Sequence, residues 1–174
     1  MDITSFINES IPFGIINWFK SIHAKKGIIT LETEGSHPLI TDHRIDVISL
    51  SPKFSNSIPV IGVETPQGKI VDQKMIDQHN KLRLNHEAIA QTIAYHSDYH
   101  YKPVYDGTEE NIQEIEEFRV KHNIPKNKTW LMPAGDNREE LIKQYPISLE
   151  KAFEMGYNWT GRDHIVAWDT KRAV

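Results

Sequence analysis

Apolar residues recur along the chain at two periods, and the period changes mark the predicted elements. Ile15, Ile16, Phe19 and Ile22 share one face of a helix over residues 15–24 (IINWFKSIHA), and Gly27 stands where its C-cap belongs. Shorter runs rich in β-branched residues follow: IITLE (28–32) and DVISL (46–50) read as strands, with GSHPLITDHR as the loop between them. Beyond a Ser-, Pro- and Gly-containing loop over 55–68, a helix is expected to begin near Asp72 or at Asn85. Asn85 suits the N-cap of HEAIAQTIAYH, with Ile89 and Ile93 on its buried stripe.

The second half continues the alternation. YHYKPVYD (99–106) alternates like a strand despite Pro103, and Thr108 caps an acidic helix, EENIQEIEEFRVKH, with Ile112, Ile115 and Phe118 inward. Glu109 and Glu110 in its first turn and Lys121 in its last suit the helix dipole. TWLMPAGD reads as a strand and its exit. REELIKQYPISLEKAFEMGY reads as helix interrupted near Pro146, and HIVAW, opening with His164, as a last strand. Strands separated by helices of this length predict an α/β fold with a parallel sheet of βα units. In such sheets ligands gather at the carboxyl ends of the strands. The polar clusters ETEGS, SPKFSN and PAGD each follow a strand, so they are expected at one rim, with YDG beside them.

Composition narrows the reading. The 174 residues suit one domain over 1–174, with ordinary hydrophobic (39%) and charged (25%) content. A formal net charge of −4 disfavours nucleic-acid backbones as partners. No apolar run has the length of a membrane span, and MDITSFINES lacks the basic start of a secretory signal, so a cytoplasmic location is expected. The chain has no cysteine, which removes disulfides, thiolate catalysis and cysteine-bound metal within it.

Several side chains carry candidate chemistry. Lys53 with Ser51 and Asn56 suits a carboxylate or phosphate, or else a solvated turn. Glu32 and Glu34, two apart at a strand end, suit hydroxyls or an amine, or else a surface pair. MPAGD (132–136) offers backbone donors where a flat ring can approach, and Gly135 equally serves a tight turn. His164 is placed to hydrogen-bond a heterocycle or to be satisfied structurally. His96 and His100 have a metal-like helical spacing, although no glutamate follows in a zincin pattern. His79, Arg83 and His86 lie in a polar helical stretch. Trp130, Trp159, Trp168 and Phe153 fit core or helix–sheet packing. No Walker A, GxGxxG or GxSxG motif is present.

IITLETEGSHPL, DVISLSPKFSNS, HNKLRLNHEAIAQTIAYHSDYHYKPVYD, WLMPAGDNREEL and HIVAWDTKRAV stand here in an order that resembles the 7-carboxy-7-deazaguanine synthases. These are radical S-adenosylmethionine (SAM) lyases of queuosine and deazapurine biosynthesis. The resemblance covers residues 15–174; residues 1–14 form a divergent segment. It implies a partial (β/α)6 radical-SAM-type barrel, usually dimeric, that contracts the ring of 6-carboxy-tetrahydropterin to 7-carboxy-7-deazaguanine using a 4Fe–4S cluster, SAM and Mg²⁺. By the same resemblance Glu32, Ser51 and Lys53 line the SAM site, Met132, Pro133 and Ala134 meet its adenosine, and His164, Val174 and Asn56 face the pterin. The family's CxxxCxxC loop and Gly-Gly-Glu-Pro motif have no counterpart here. The expectation is therefore the carboxyl two-thirds of such an enzyme, lacking the first two βα units and inactive alone. It would be completed by an N-terminal fragment or a homodimer partner, serve as a SAM- or pterin-binding module without catalysis, or be a decayed product.

Overall fold

The computed structural model describes residues 28–41, 45–65 and 68–171. The helix predicted over 15–24, the segment 1–14 and Val174 lie outside the described residues. Among the described residues six strands appear in chain order: β1 Thr30–Thr33, β2 Val47–Leu50, β3 Tyr99–Tyr101, β4 Val104–Tyr105, β5 Trp130–Pro133 and β6 Asn158–Trp159. The helices are α1 Gln73–Leu82, α2 His86–Tyr95, α3 Glu109–Lys121, α4 Arg138–Met155 and α5 Asp163–Trp168.

The strands form two small parallel sheets, β1-β2-β3 and β4-β5-β6. Register pairs Glu32 with Ser49 and Ser49 with His100 in the first sheet, and Val104 with Met132 and Trp130 with Asn158 in the second. The sheets meet along one stretch of chain. Pro103 separates β3 from β4, yet a parallel bridge between Tyr101 and Thr129 carries the pairing across the break. Lys102 N–H bonds to Leu50 O on one side, and Met132 N–H to Pro103 O on the other. One proline has thus divided the single strand predicted over 99–106.

Alternate strand residues build the core. Leu31, Ile48, Leu50, Tyr99, Tyr101, Tyr105 and Leu131 join Ile89 and Ile93 of α2, Ile112, Ile115 and Phe118 of α3, and Ala152 and Met155 of α4. Three helices therefore cover one face. The alternating residues Glu32, Ser49, His100, Trp130 and Met132 point to the other. The loop after β1 is drawn tightly onto α2: at Gly35 (φ 79°) an added Cβ would lie 2.6 Å from Ile89 Cγ1.

Side-chain caps set the helix starts. Asp72, Asn85, Thr108 and Asn137 each accept from a backbone N–H in the first turn. Both proposed starts near residues 72 and 85 are used, giving two helices rather than one. Gly156, left-handed at φ 68°, ends α4.

Three expectations need correction. HIVAW is not a strand: Asp163 enters the first turn of a short helix and Ile165 is its buried anchor. The strand slot beside β5 is taken by Asn158–Trp159, which the sequence reading passed over. A short apolar run fits either period, and the pairing slot decides between them. Helix α4 runs through Pro146 without a break; Pro146 and Ile142 are on its exposed side, so the carbonyl that loses its donor faces water. Phe153, expected in packing, is 89% exposed. No described helix is long and apolar enough to cross a membrane.

Candidate functional site

The exit of β2 is the best-braced part of the rim. Ser51 N–H bonds to Thr33 O at 2.8 Å, holding the β2 exit against β1. Pro52 is buried, Lys53 half-buried, and Phe54 is sunk in the core against Tyr101 and Phe118. The chain then turns through a short 3-10 segment, Ser55–Ser57. Three side chains from two helices hold this loop. Glu114 of α3 accepts from the N–H and hydroxyl of Ser55, Arg83 after α1 donates to Lys53 O at 3.4 Å, and Ser57 bonds to His79 at 3.1 Å. Burial, then the nearby Arg83, push the His79 imidazole below its ordinary value, with Lys53 adding to this and Glu34 opposing it.

Glu32, Ser51, Lys53, Met132, Pro133 and Ala134 all lie at the carboxyl ends of parallel strands, so the fold gathers them on one rim. Glu32 is largely exposed and ion-pairs with Lys102 at 2.9 Å. Met132 is half-buried and Pro133 buried in β5, while Ala134 N–H bonds to Tyr105 O at 2.8 Å. Among the described residues, neither the Ser51 hydroxyl nor the Lys53 ammonium has a hydrogen-bond partner. Asn56 is engaged differently: its amide donates to Val104 O at 3.3 Å and staples the loop to β4.

His164 sits exposed on α5, at the second helical position rather than at a strand start. The helix is nonetheless latched to the exit of β5. Arg162 donates to Gly135 O at 2.6 Å, and Arg138 donates to Val166 O and Ala167 O at 2.6 and 2.8 Å. This latch keeps His164 on the side of MPAGD. His96 caps α2 and bonds to Leu39 O at 3.1 Å, whereas His100 is in β3, so the two do not share a helix face.

The donor set bears differently on the groups that the resemblance implies. An ammonium and a hydroxyl without partners among the described residues, at the rim that also carries the Lys102-paired Glu32 carboxylate and an apolar strand end, are compatible with the carboxylate, amine and nucleoside of SAM. A 4Fe–4S cluster held by three thiolates does not fit: the sequence has no cysteine. Among the described residues no group of three or more His, Cys, Asp or Glu side chains is placed to hold a metal ion.

The sequence reading missed Glu114 and Lys102, whose roles arise from contacts 59 and 70 residues away in sequence. It also missed Ser49, whose place on an otherwise apolar buried strand was a readable signal.

Comparison with curated proteins gives one distant likeness. The chain is 26% identical over 148 residues to a 7-carboxy-7-deazaguanine synthase of Pyrobaculum aerophilum. That alignment takes in 84% of this chain and 54% of the relative, so the chain spans about half the length of the curated protein it matches. No family model matches the chain. No solved structure matches it significantly. An identity this low supports a distant relationship to that family and leaves the reaction to be argued from the site.

Proposed function

We propose that the chain binds SAM, with a pterin beside it, as the ligand-holding portion of a 7-carboxy-7-deazaguanine-synthase-like lyase. Any cluster in that assembly takes its thiolates from residues other than these 174. The observation that carries the reading is the unpartnered Ser51–Lys53 pair at the exit of β2, between Glu32 and the Met132–Ala134 strand end. Lys53 pairs with the ligand's carboxylate, Glu32 with its amine or ribose hydroxyls, and Met132, Pro133 and Ala134 pack against the adenine. SAM supplies a reactive sulfonium; the residues described here bind and orient it. His164 is assigned to the pterin side, and Asn56 to loop anchoring. Parallel βα units with three helices on one face support a partial (β/α)6 barrel, completed by an N-terminal fragment or a second copy.

A second reading, a binding module without catalysis, is favoured by the missing cysteines. Titration calorimetry with S-adenosylhomocysteine tests what both share. Binding is expected, weakened about tenfold or more by Lys53→Ala; no heat up to about 1 mM ligand removes both readings. Co-expression with the cysteine-bearing amino-terminal half of a 7-carboxy-7-deazaguanine synthase separates them. Product formation supports the lyase portion, and retained binding without product supports the module.

A further inference from the structure

Helix α4 has a second apolar face, which the described residues leave open. Its buried side, with Leu141, Ser148 and Ala152, packs on β5 and β6. Gln144 and Lys151 turn to the α3 side, where they bond to Asp106 O and to the Glu109 carboxylate. Ile142, Pro146, Leu149 and Phe153 lie about half a turn round from that side. All four are exposed, Ile142 at 58%, Leu149 at 51% and Phe153 at 89%. Spacings of four, three and four residues keep them in one narrow stripe, the seam of a helix that packs on another helix.

The order of residues along the stripe suits a copy of itself. Laid antiparallel, with the symmetry axis between Pro146 and Leu149, Ile142 of each helix meets Phe153 of the other, and Pro146 meets Leu149. The exposed charges agree with that direction. Lys143 of one helix comes opposite Glu150 of the other, and symmetry repeats the pair. Lys143 is paired within its own helix to Glu139 at 2.6 Å, and both side chains stay largely exposed, so its ammonium is already held in this region. A parallel pairing instead puts Phe153 on Phe153 and brings Lys143 towards Arg138 of the copy, a like charge.

The four side chains expose roughly 400 Å² of apolar surface, about half of the ~800 Å² that each partner gives a standard interface. The Ile142 carbonyl, left without a donor by Pro146, lies on this flank and keeps water at the seam. Both point to a weak dimer. Residues 1–27 join the described chain ahead of β1, at the outer edge of the other sheet, so the whole strand row separates their point of entry from the stripe.

We infer that α4 pairs antiparallel with α4 of a second copy of this chain, with Ile142, Pro146, Leu149 and Phe153 as the seam and Lys143–Glu150 as the rim pairs. This goes beyond the ligand-binding reading. The contact lies on the helical layer and leaves the outer edge of β1 open, so a copy docked here does not complete the strand row.

Sedimentation of the 174-residue chain over about 5–500 µM tests the pairing. Monomer at the low end and dimer at the high end are expected, with a dissociation constant on the order of tens of micromolar. Phe153→Ser is expected to raise that constant about tenfold or more. Its melting temperature at about 5 µM, where the monomer dominates, is expected to match the parent. Lys143→Glu sets like charges at both rim pairs and is expected to weaken the dimer about fivefold, and adding Glu150→Lys to restore it. Monomer mass throughout, a dimer indifferent to Phe153→Ser, or a charge reversal that the double variant does not recover overturns the pairing.

Discussion

The Glu114 carboxylate on α3 accepts from both the backbone N–H and the hydroxyl of Ser55, at 3.0 and 2.6 Å, 59 residues earlier in the chain. Arg83 reaches the same carboxylate at 3.4 Å, joining α1, α3 and the β2 exit at one charge. The backbone that follows Lys53 is therefore positioned by helices as well as by its own turn, in which Ser57 donates to Phe54 O.

Glu114→Ala is expected to lower unfolding free energy by about 1–2 kcal/mol, because charge-assisted bonds to Ser55 are lost at a partly exposed site. Urea unfolding measures the loss. Amide exchange over residues 53–57 should quicken at the same time, and Glu114→Gln should retain part of the protection.

His86 and His122 share a hydrogen bond at 2.9 Å and lie 5.1 Å apart as stacked rings, with Phe118 beside both. Burial pushes both imidazoles below their ordinary 6.5; Lys121 adds to this at each, and His86 adds to it at His122. The unfolded chain then takes up protons before the folded one does. Stability from this pair is full above about pH 6.5 and falls as the pH drops towards the lowered folded values. Melting temperature should drop from about pH 7.5 to about pH 5.5, and less steeply in His86→Phe/His122→Phe. His79, also lowered, leaves some slope in the double variant.

At lower pH a second device fails. Side-chain bonds from Arg119, and then from Tyr157, hold the Glu116 carboxyl down to about 2 against burial, from an ordinary value of 4.5. This contribution is complete above about pH 4.5 and is lost as the pH falls towards 2. Glu116→Gln should be less stable than the parent at neutral pH and should approach it in acid, as read from circular dichroism melts.

Much of the fold was legible because its signals are local. The caps at Asn85 and Thr108 and the stripe Ile112–Ile115–Phe118 lie in short windows. The helix at Asp163–Trp168 was not, because HIVAW satisfies two periods and only the strand slot taken by Asn158–Trp159 excludes one. The rim was legible as strand exits in sequence, Ser51 and Lys53 above all. The brace from Glu114 and the ion pair from Lys102 were not, since contacts between distant residues leave no local spacing.

Gly35→Ala should destabilise by about 2 kcal/mol or more, since the new methyl meets Ile89 Cγ1 at 2.6 Å and Leu50 Cδ1 at 3.1 Å at a positive φ. Ile89→Ala is itself costly in the core, so the test is a double-mutant cycle: Gly35→Ala should cost less in the Ile89→Ala background than in the parent. An equal cost in both backgrounds would assign the loss to backbone conformation alone.

Helix α4 carries an internal control. Leu141 is fully buried, and Leu141→Ala should cost about 3 kcal/mol. Phe153→Ser on the same helix should change stability by less than about 0.5 kcal/mol, as its ring is 89% exposed. Comparable losses in the two melts would place Phe153 in a contact beyond the described residues.

Three helices on one side of the strands divide the burdens on the sequence by parity. In β2 the even residues Ile48 and Leu50 face the helices and odd Ser49 does not; in β3 and β5 the odd residues Tyr99, Tyr101 and Leu131 do, while even His100, Trp130 and Met132 look away. A substitution scan along β2, β3 and β5 should cost most at the residues that face the helices. The alternate positions are then freer to diverge, so distant kin can share a scaffold while reading different molecules from every second residue.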